Sequence, residues 1–368
     1  MNQEITTTAG TRGSKAARIL SAFILFFSIS TFVAGQNDFN YYYNQGQEKY
    51  SKGNYSAAAD DFSSALKNRK TAKNDYRIAS AYMARALCKM GMQNYKSAID
   101  DISDAIELKP EYSDLYMARS IIHLQAKEYD ECIKWANKGL ELKPEFEELI
   151  LMKVKANLSQ KNYAAALNDL DTVLLKVNPR NLEAWNLKGD AKQKQKDFKG
   201  GAEAFTKAIE IDAQNYAAFY DRGICRAHLK DFDGALADMT RGMEIDSTEK
   251  WIGYNNIAYF IKFEQKDYKG SLALFDEAIK LNPKFAYAYN NRGYAKLQMN
   301  DLKGARQDIM KGLDLNEENS YAYKTLAQLL FAEKKDKLAC EKLQKALELG
   351  YTEMYDEEVN EMIKEHCK

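Results

Sequence analysis

Along this chain, small and large apolar residues recur with a period far longer than a helical turn. An aromatic opens each unit, at Tyr55, Tyr95, Tyr129, Tyr163, Phe198, Phe232 and Tyr268, with Leu302 taking the place once; the separations are 40, 34, 34, 35, 34, 36 and 34 residues. Three positions later stands a small residue: Ala58, Ala98, Cys132, Ala166, Gly201, Ala235, Ser271 and Ala305. Seven later the side chain is large and apolar (Phe62, Ile102, Leu170, Phe205, Met239, Phe275, Ile309), with Ala136 the exception. Ten later it is small again, as at Ala65, Ala105, Gly139, Ala208, Gly242, Ala278, Gly312 and Ala346. Steps of three, four and three keep all these positions on one helix face. Small residues there admit a neighbouring helix and large ones fill the space beside it, so the face is predicted to be core.

A helix upstream in each unit has its own small position, at Gly46, Ala86, Ser120, Gly189, Gly223, Ala258, Gly293 and Ala327, with an aromatic four residues earlier, from Tyr42 and Tyr82 through Trp185 to Tyr323. Before the opening aromatic comes an Asn or Asp (Asn54, Asn94, Asn162, Asp197, Asp231, Asp267, Asp301). Such side chains accept from free amides at a helix start, contributing about 1 kcal/mol each, and mark where the second helix begins. All four prolines, Pro110, Pro144, Pro179 and Pro283, fall between a second helix and the next unit, where a helix accepts one. A period near 34 with two helical runs per unit predicts an all-α solenoid of stacked helix pairs.

These residues reproduce a known motif. The chain resembles the tetratricopeptide-repeat (TPR) family from about Asn40 to Gly350, most completely in "AWNLKGDAKQKQKDFKGGAEAFTKAIEI", residues 184–211. The resemblance implies a right-handed superhelix of about nine helix pairs, with a concave groove lined by the first helix of each pair, and names no ligand. With the composition at either end, it lays the chain out as a leader or anchor over residues 1–35, repeats one to four over 38–179, repeats five to nine over 180–350 and a C-terminal capping helix over 351–368. On that reading the groove is lined early by Met83, Leu87, Met117 and Ile121, and later by Asn186, Asp190, Tyr220, Asn255, Tyr259, Asn290, Tyr294, Lys324 and Gln328. The early half is apolar; the later half offers amides and phenols suited to an extended peptide backbone. The Lys and Arg set of carboxylate-clamp members is missing.

Three departures carry structural expectations. The 40-residue first spacing, through "KNRKTAKNDY", predicts a lengthened loop or helix end. Repeat four places Val154 and Val173 at small positions and Pro179 one residue late, which predicts looser packing and a bend. Repeat seven has one extra residue in its first helix or the following turn, near Phe263. In the last segment, Val359, Met362 and Ile363 make one apolar stripe, as expected of a cap that covers the final repeat.

Charge narrows the functional classes. There are 53 basic and 53 acidic residues, so nothing marks a nucleic-acid footprint or a polybasic membrane patch. Ahead of the repeats, Arg12, Lys15 and Arg18 precede the apolar run Ile19 to Gly35, the arrangement of a secretory signal cut near Gly35 or Gln36; left uncut, it becomes a membrane anchor. The expected location is therefore outside the cytoplasm, with the periplasm favoured. The five cysteines form no CxxC or metal-ligand spacing, and Cys340 and Cys367 are candidates for a disulfide if the last helix folds back. His123, His228 and His366 fit no catalytic spacing, no cofactor or metal is expected, and leader, repeats and cap account for the chain, so catalysis is not expected. The expectation is a non-enzymatic scaffold that binds a protein or peptide along its groove. The alternatives are an accessory subunit of an envelope enzyme or polysaccharide-assembly complex, and a membrane-tethered spacer. Oligomeric state is left open.

Overall fold

The computed structural model describes residues 38–354 and 357–367; the leader reading lies outside them. Those residues are helical throughout and contain no strand. They divide into two compact units, 38–195 and 196–367, and the division falls between the two helices of the fifth repeat.

Within each unit, consecutive helices pair as the spacing predicts. Phe39–Ser51 packs on Tyr55–Lys67, Asp75–Gly91 on Tyr95–Leu108 and Ser113–Gln125 on Tyr129–Leu142. Further on, Tyr216–His228 packs on Phe232–Ile245, Ala286–Gln298 on Leu302–Leu315 and Ser320–Ala332 on Asp336–Glu348. The small positions Ala58, Ala98, Cys132, Ala166, Ala235, Ser271, Ala305 and Ala339 are fully buried. A Cβ on Gly293 would stand 2.8 Å from Ile309 and 3.1 Å from the Ala305 carbonyl, so this contact admits no side chain without moving backbone.

Each of the seven predicted cap residues accepts a backbone N–H from the first turn of its second helix, as Asn94 does from Ser97 and Asp301 from Gly304. The residue just ahead of the cap has a feature that sequence reasoning missed. Gln93, Lys127, Lys161, Lys196, Lys230, Lys266, Asn300 and Lys334 all have φ near +60°, and Gly53 takes the place in the first repeat. A left-handed residue lets the chain reverse between paired helices in a short turn, and only glycine adopts it without steric cost.

Extra residues are absorbed at defined places. In repeat one to two, the added length forms a short 3-10 turn, Arg69–Thr71, and a 17-residue first helix, Asp75–Gly91. In repeat four, a π-helical turn over Val173–Val177 takes up the late proline, and Val154 and Val173 are fully buried. Repeat seven contains the extra residue expected near Phe263 and a second one ahead of its first helix. The first widens the helix into a π-helix, Ile257–Phe263, and the second falls between Ile245 and Tyr254, where the helix starts at Lys250; the turn before Tyr268 keeps the hydrogen bonds of the other repeats. Adding a residue inside a helix keeps the flanking faces in register only if the turn widens to i→i+5, which is why π turns appear at these points.

A charged seam accompanies the apolar core. An Arg or Lys of a first helix meets an Asp sixteen residues later on its partner: Arg85 with Asp101, Lys153 with Asp169, Arg222 with Asp238 and Arg292 with Asp308. In the three arginine cases both Nε and Nη2 donate to the carboxylate at 2.5 to 2.9 Å. A second cation, Lys89, Arg226 or Lys296, reaches the same buried Asp. Removing the acid from such a desolvated cluster costs about 3–5 kcal/mol, because the guanidinium stays behind unpaired.

The C-terminal cap is present as a short helix, Tyr351–Met354, followed by Glu358–His366. Val359 is fully buried, and Met362 and Ile363 pack on the last apolar cluster. Cys340 and Cys367 form a disulfide, with Cα atoms 5.7 Å apart, that ties the cap to the ninth repeat.

Candidate functional site

In the 38–195 unit the anticipated lining residues join the core. Met117 and Ile121 are buried in one apolar cluster with Met90, Ile122 and Met152, and the half-buried Met83 and Leu87 pack against it. Asn186 and Asp190 lie half-buried on Leu182–Lys194.

In the 196–367 unit the first-helix faces bring most of the anticipated residues together. Asn291 donates to Asn255 at 3.0 Å, and Asn255 donates to Asn256 at 3.4 Å. Atoms are left over: Asn256 Nδ2, Asn291 Oδ1 and both side-chain atoms of Asn290 are buried with no hydrogen-bond partner among the described residues. The Tyr220 hydroxyl and the Gln328 carbonyl are in the same condition. An unsatisfied buried polar atom costs about 1–3 kcal/mol, so this is an expensive arrangement for a face with no task.

Beside the amides runs an aromatic row. Tyr259 lies in the π-helical turn and its hydroxyl stands 3.2 Å from that of Tyr321, a residue 62 positions away. Phe263 stacks on Tyr259 at 5.9 Å and on Tyr294 at 5.0 Å. Lys324 Nζ stands 5.4 Å from the ring centre of Tyr294 and 5.0 Å from that of Tyr321, and pairs with Glu358 of the cap at 2.9 Å. Burial pushes the phenols of Tyr220, Tyr259 and Tyr321 above the usual range and that of Tyr294 to about 12. They remain neutral hydrogen-bonding groups at any physiological pH. A cavity of about 200 Å³ adjoins the row, lined by Ala227, His228, Lys230, Tyr259, Phe260 and Glu264. His228 lies 4.0 Å from Phe198, ring on ring, and burial lowers its pKa to about 4.

Sequence reasoning missed Asn256, Asn291, Phe263 and Tyr321. A signal for the first two was present: "YNNIAY" at Tyr254 and "YNNRGY" at Tyr289 repeat an amide doublet at one register. Tyr321 carried none, since its place depends on which side chains of distant repeats meet. Of the remaining histidines, buried His123 meets Glu128 at 2.7 Å, and exposed His366 lies 4.9 Å from Phe331. Among the described residues no group of three or more His, Cys, Asp or Glu is placed to hold a metal ion.

Three family profiles match the sequence. One, described as "TPR repeat", matches residues 261–300. Two described as "Tetratricopeptide repeat" match residues 151–216 and 188–246, and residues 79–112, 113–146 and 286–319. Together they span more than half of the chain. No curated protein matches. Among solved structures, the chain is similar to the APC/C hetero-tetramer Cut9-Hcn1 at 13% identity and TM-score 0.51, covering 90% of this chain and 76% of that one. It is also similar to YrrB, "a TPR protein with an unusual peptide-binding site", at 19% identity and TM-score 0.43, covering 51% and 95%. A third is MamA from Desulfovibrio magneticus RS-1, at 20% identity and TM-score 0.44, covering 48% and 99%.

Proposed function

This chain belongs to the tetratricopeptide-repeat family, and from that premise we propose that it is a non-catalytic scaffold whose 196–367 unit holds an extended protein segment against its first-helix face. The observation that carries the reading is Asn290, buried with both its donor and its acceptor unpaired. A peptide group presents one acceptor and one donor at the spacing an amide side chain matches, so a backbone that displaces the side chains covering Asn290 relieves the unsatisfied pair while the tyrosine row packs on the peptide's side chains.

The proposed location is the bacterial envelope. Support comes from the basic flank and apolar run ahead of Gly35 and from the Cys340–Cys367 bond, which persists in an oxidising compartment. N-terminal sequencing of the protein isolated from its host tests the leader: a start near Gln36 supports export, and an intact Met1 or Asn2 in a cytosolic fraction refutes it.

The binding reading is tested by selecting displayed random peptides on the purified chain. Selected peptides are expected to bind the wild type and to lose at least tenfold in affinity to the Asn255→Ala, Asn290→Ala double variant, which keeps its helical melt. Unchanged binding in that variant would remove these amides from the site.

A further inference from the structure

Of the four arginines at the first-helix seam position, Arg85, Arg119, Arg222 and Arg292, one meets no aspartate. In the third repeat Arg119 keeps the place of Arg85, Arg222 and Arg292, and its Nη1 donates to Ser103 at 3.0 Å, as Arg85 does to Ser63 and Arg222 to Thr206, both at 3.1 Å. Sixteen residues on, where the other three repeats have an aspartate, stands Trp135. The second cation is replaced too, by His123, which turns instead to Glu128. Arg119 Nε has no acceptor among the described residues, and the indole lies 3.6 Å from its guanidinium carbon. From its own helix Lys138 brings an ammonium to 4.1 Å from the centre of the same ring. Glu131 is the nearby acid, and it is engaged by Lys134 at 2.7 Å and by the indole Nε1 at 3.1 Å. Burial draws the Arg119 pKa down, partly offset by Glu131, whereas the Asp308 carboxylate holds that of Arg292 up.

The molecule itself shows what this fork takes when complete, because in three other repeats Nε and Nη2 together grip one carboxylate. We propose that Arg119, Lys138 and Trp135 form a second docking point, on the seam between helix pairs, that takes a glutamate or aspartate side chain of an acidic protein segment. Charge complementarity selects the occupant: two cations without a carboxylate of their own flank an indole whose face suits the methylene stem of a glutamate. A planar, pre-positioned guanidinium favours a carboxylate over a neutral amide of the same shape. The site is independent of the amide face proposed above, since it lies in the other unit and shares no residue with it.

Fluorescein-labelled decaglutamate, with decaglutamine as control, titrated at low ionic strength against the full chain provides the test. Wild type is expected to bind decaglutamate and not decaglutamine. Trp135→Asp returns to this repeat the acid that the other three use, so it is expected to fold at least as stably and to lose binding at least tenfold. Arg119→Gln and Lys138→Gln are expected to weaken binding as well, while Asn255→Ala with Asn290→Ala leaves it unchanged. Binding that survives Trp135→Asp, that is equal for decaglutamine, or that is absent from the wild type overturns the proposal. If Arg119→Gln fails to fold, Trp135→Asp alone still decides it.

Discussion

The two units use one repeat to make two different first-helix faces. Both rely on the same buried small residues, the same Asn and Asp caps and the same left-handed residue in the turn. Residues 38–195 then close their face with Met117 and Ile121, whereas residues 196–367 place amides and phenols there and leave Asn290 unsatisfied. A repeat confines its folding demands to the meshing positions and leaves the others free. One set adds to the apolar core, and the other leaves buried polar atoms unsatisfied.

The sharpest way to break this contrast is Ile121→Asn, which brings an unpaired amide into the apolar face. A loss of about 3 kcal/mol is expected from the lost burial and the stranded polar atoms, read as a lower denaturant midpoint. A neutral result would mean that this face has water beside it. The reverse exchange, Asn290→Leu, keeps the shape and removes two unsatisfied atoms, so it is expected to raise stability by about 1 kcal/mol or more while abolishing peptide capture. Loss of stability would show that Asn290 has a structural partner.

Smaller effects separate what the units share from what they do not. Lys127→Gly and Lys334→Gly, one in each unit, relieve the same positive φ, and each is expected to add about 0.5–1 kcal/mol once glycine's extra unfolded-state freedom is counted. Unequal gains would mean that the turns are not equivalent. The smallest effect concerns pH. The His228 pKa is lowered in the folded chain, so as pH falls from 6.5 towards 4 the unfolded imidazole takes a proton that the folded one refuses, and stability declines. His228→Gln is expected to lack that decline, after water at this partly exposed ring has screened much of it, so its thermal midpoint should approach the wild type's on acidification. Parallel pH profiles would place the ring in water.

Much of the fold was legible in the chain itself. The three-four-three steps, the caps and the prolines each depend on neighbours within one helix or turn, and all of them reappear at the expected residues. The insertion near Phe263 was legible from the spacing, but a spacing cannot say whether an added residue widens a helix or lengthens a turn. The candidate site was half legible. Asn255 and Asn290 follow from register, but Tyr321, Phe263 and Glu358 reach it only through packing between distant repeats.

Local periodicity by itself determined the all-α class, the pairing of helices and which faces mesh, because those follow from 3.6 residues per turn and the size of a methyl group. Tertiary structure alone decided that three aspartates each draw two cations while Trp135 draws none into an ion pair, and that Cys340 meets Cys367. Each of those depends on which groups lose water together, and the distance that decides it spans residues no local pattern connects.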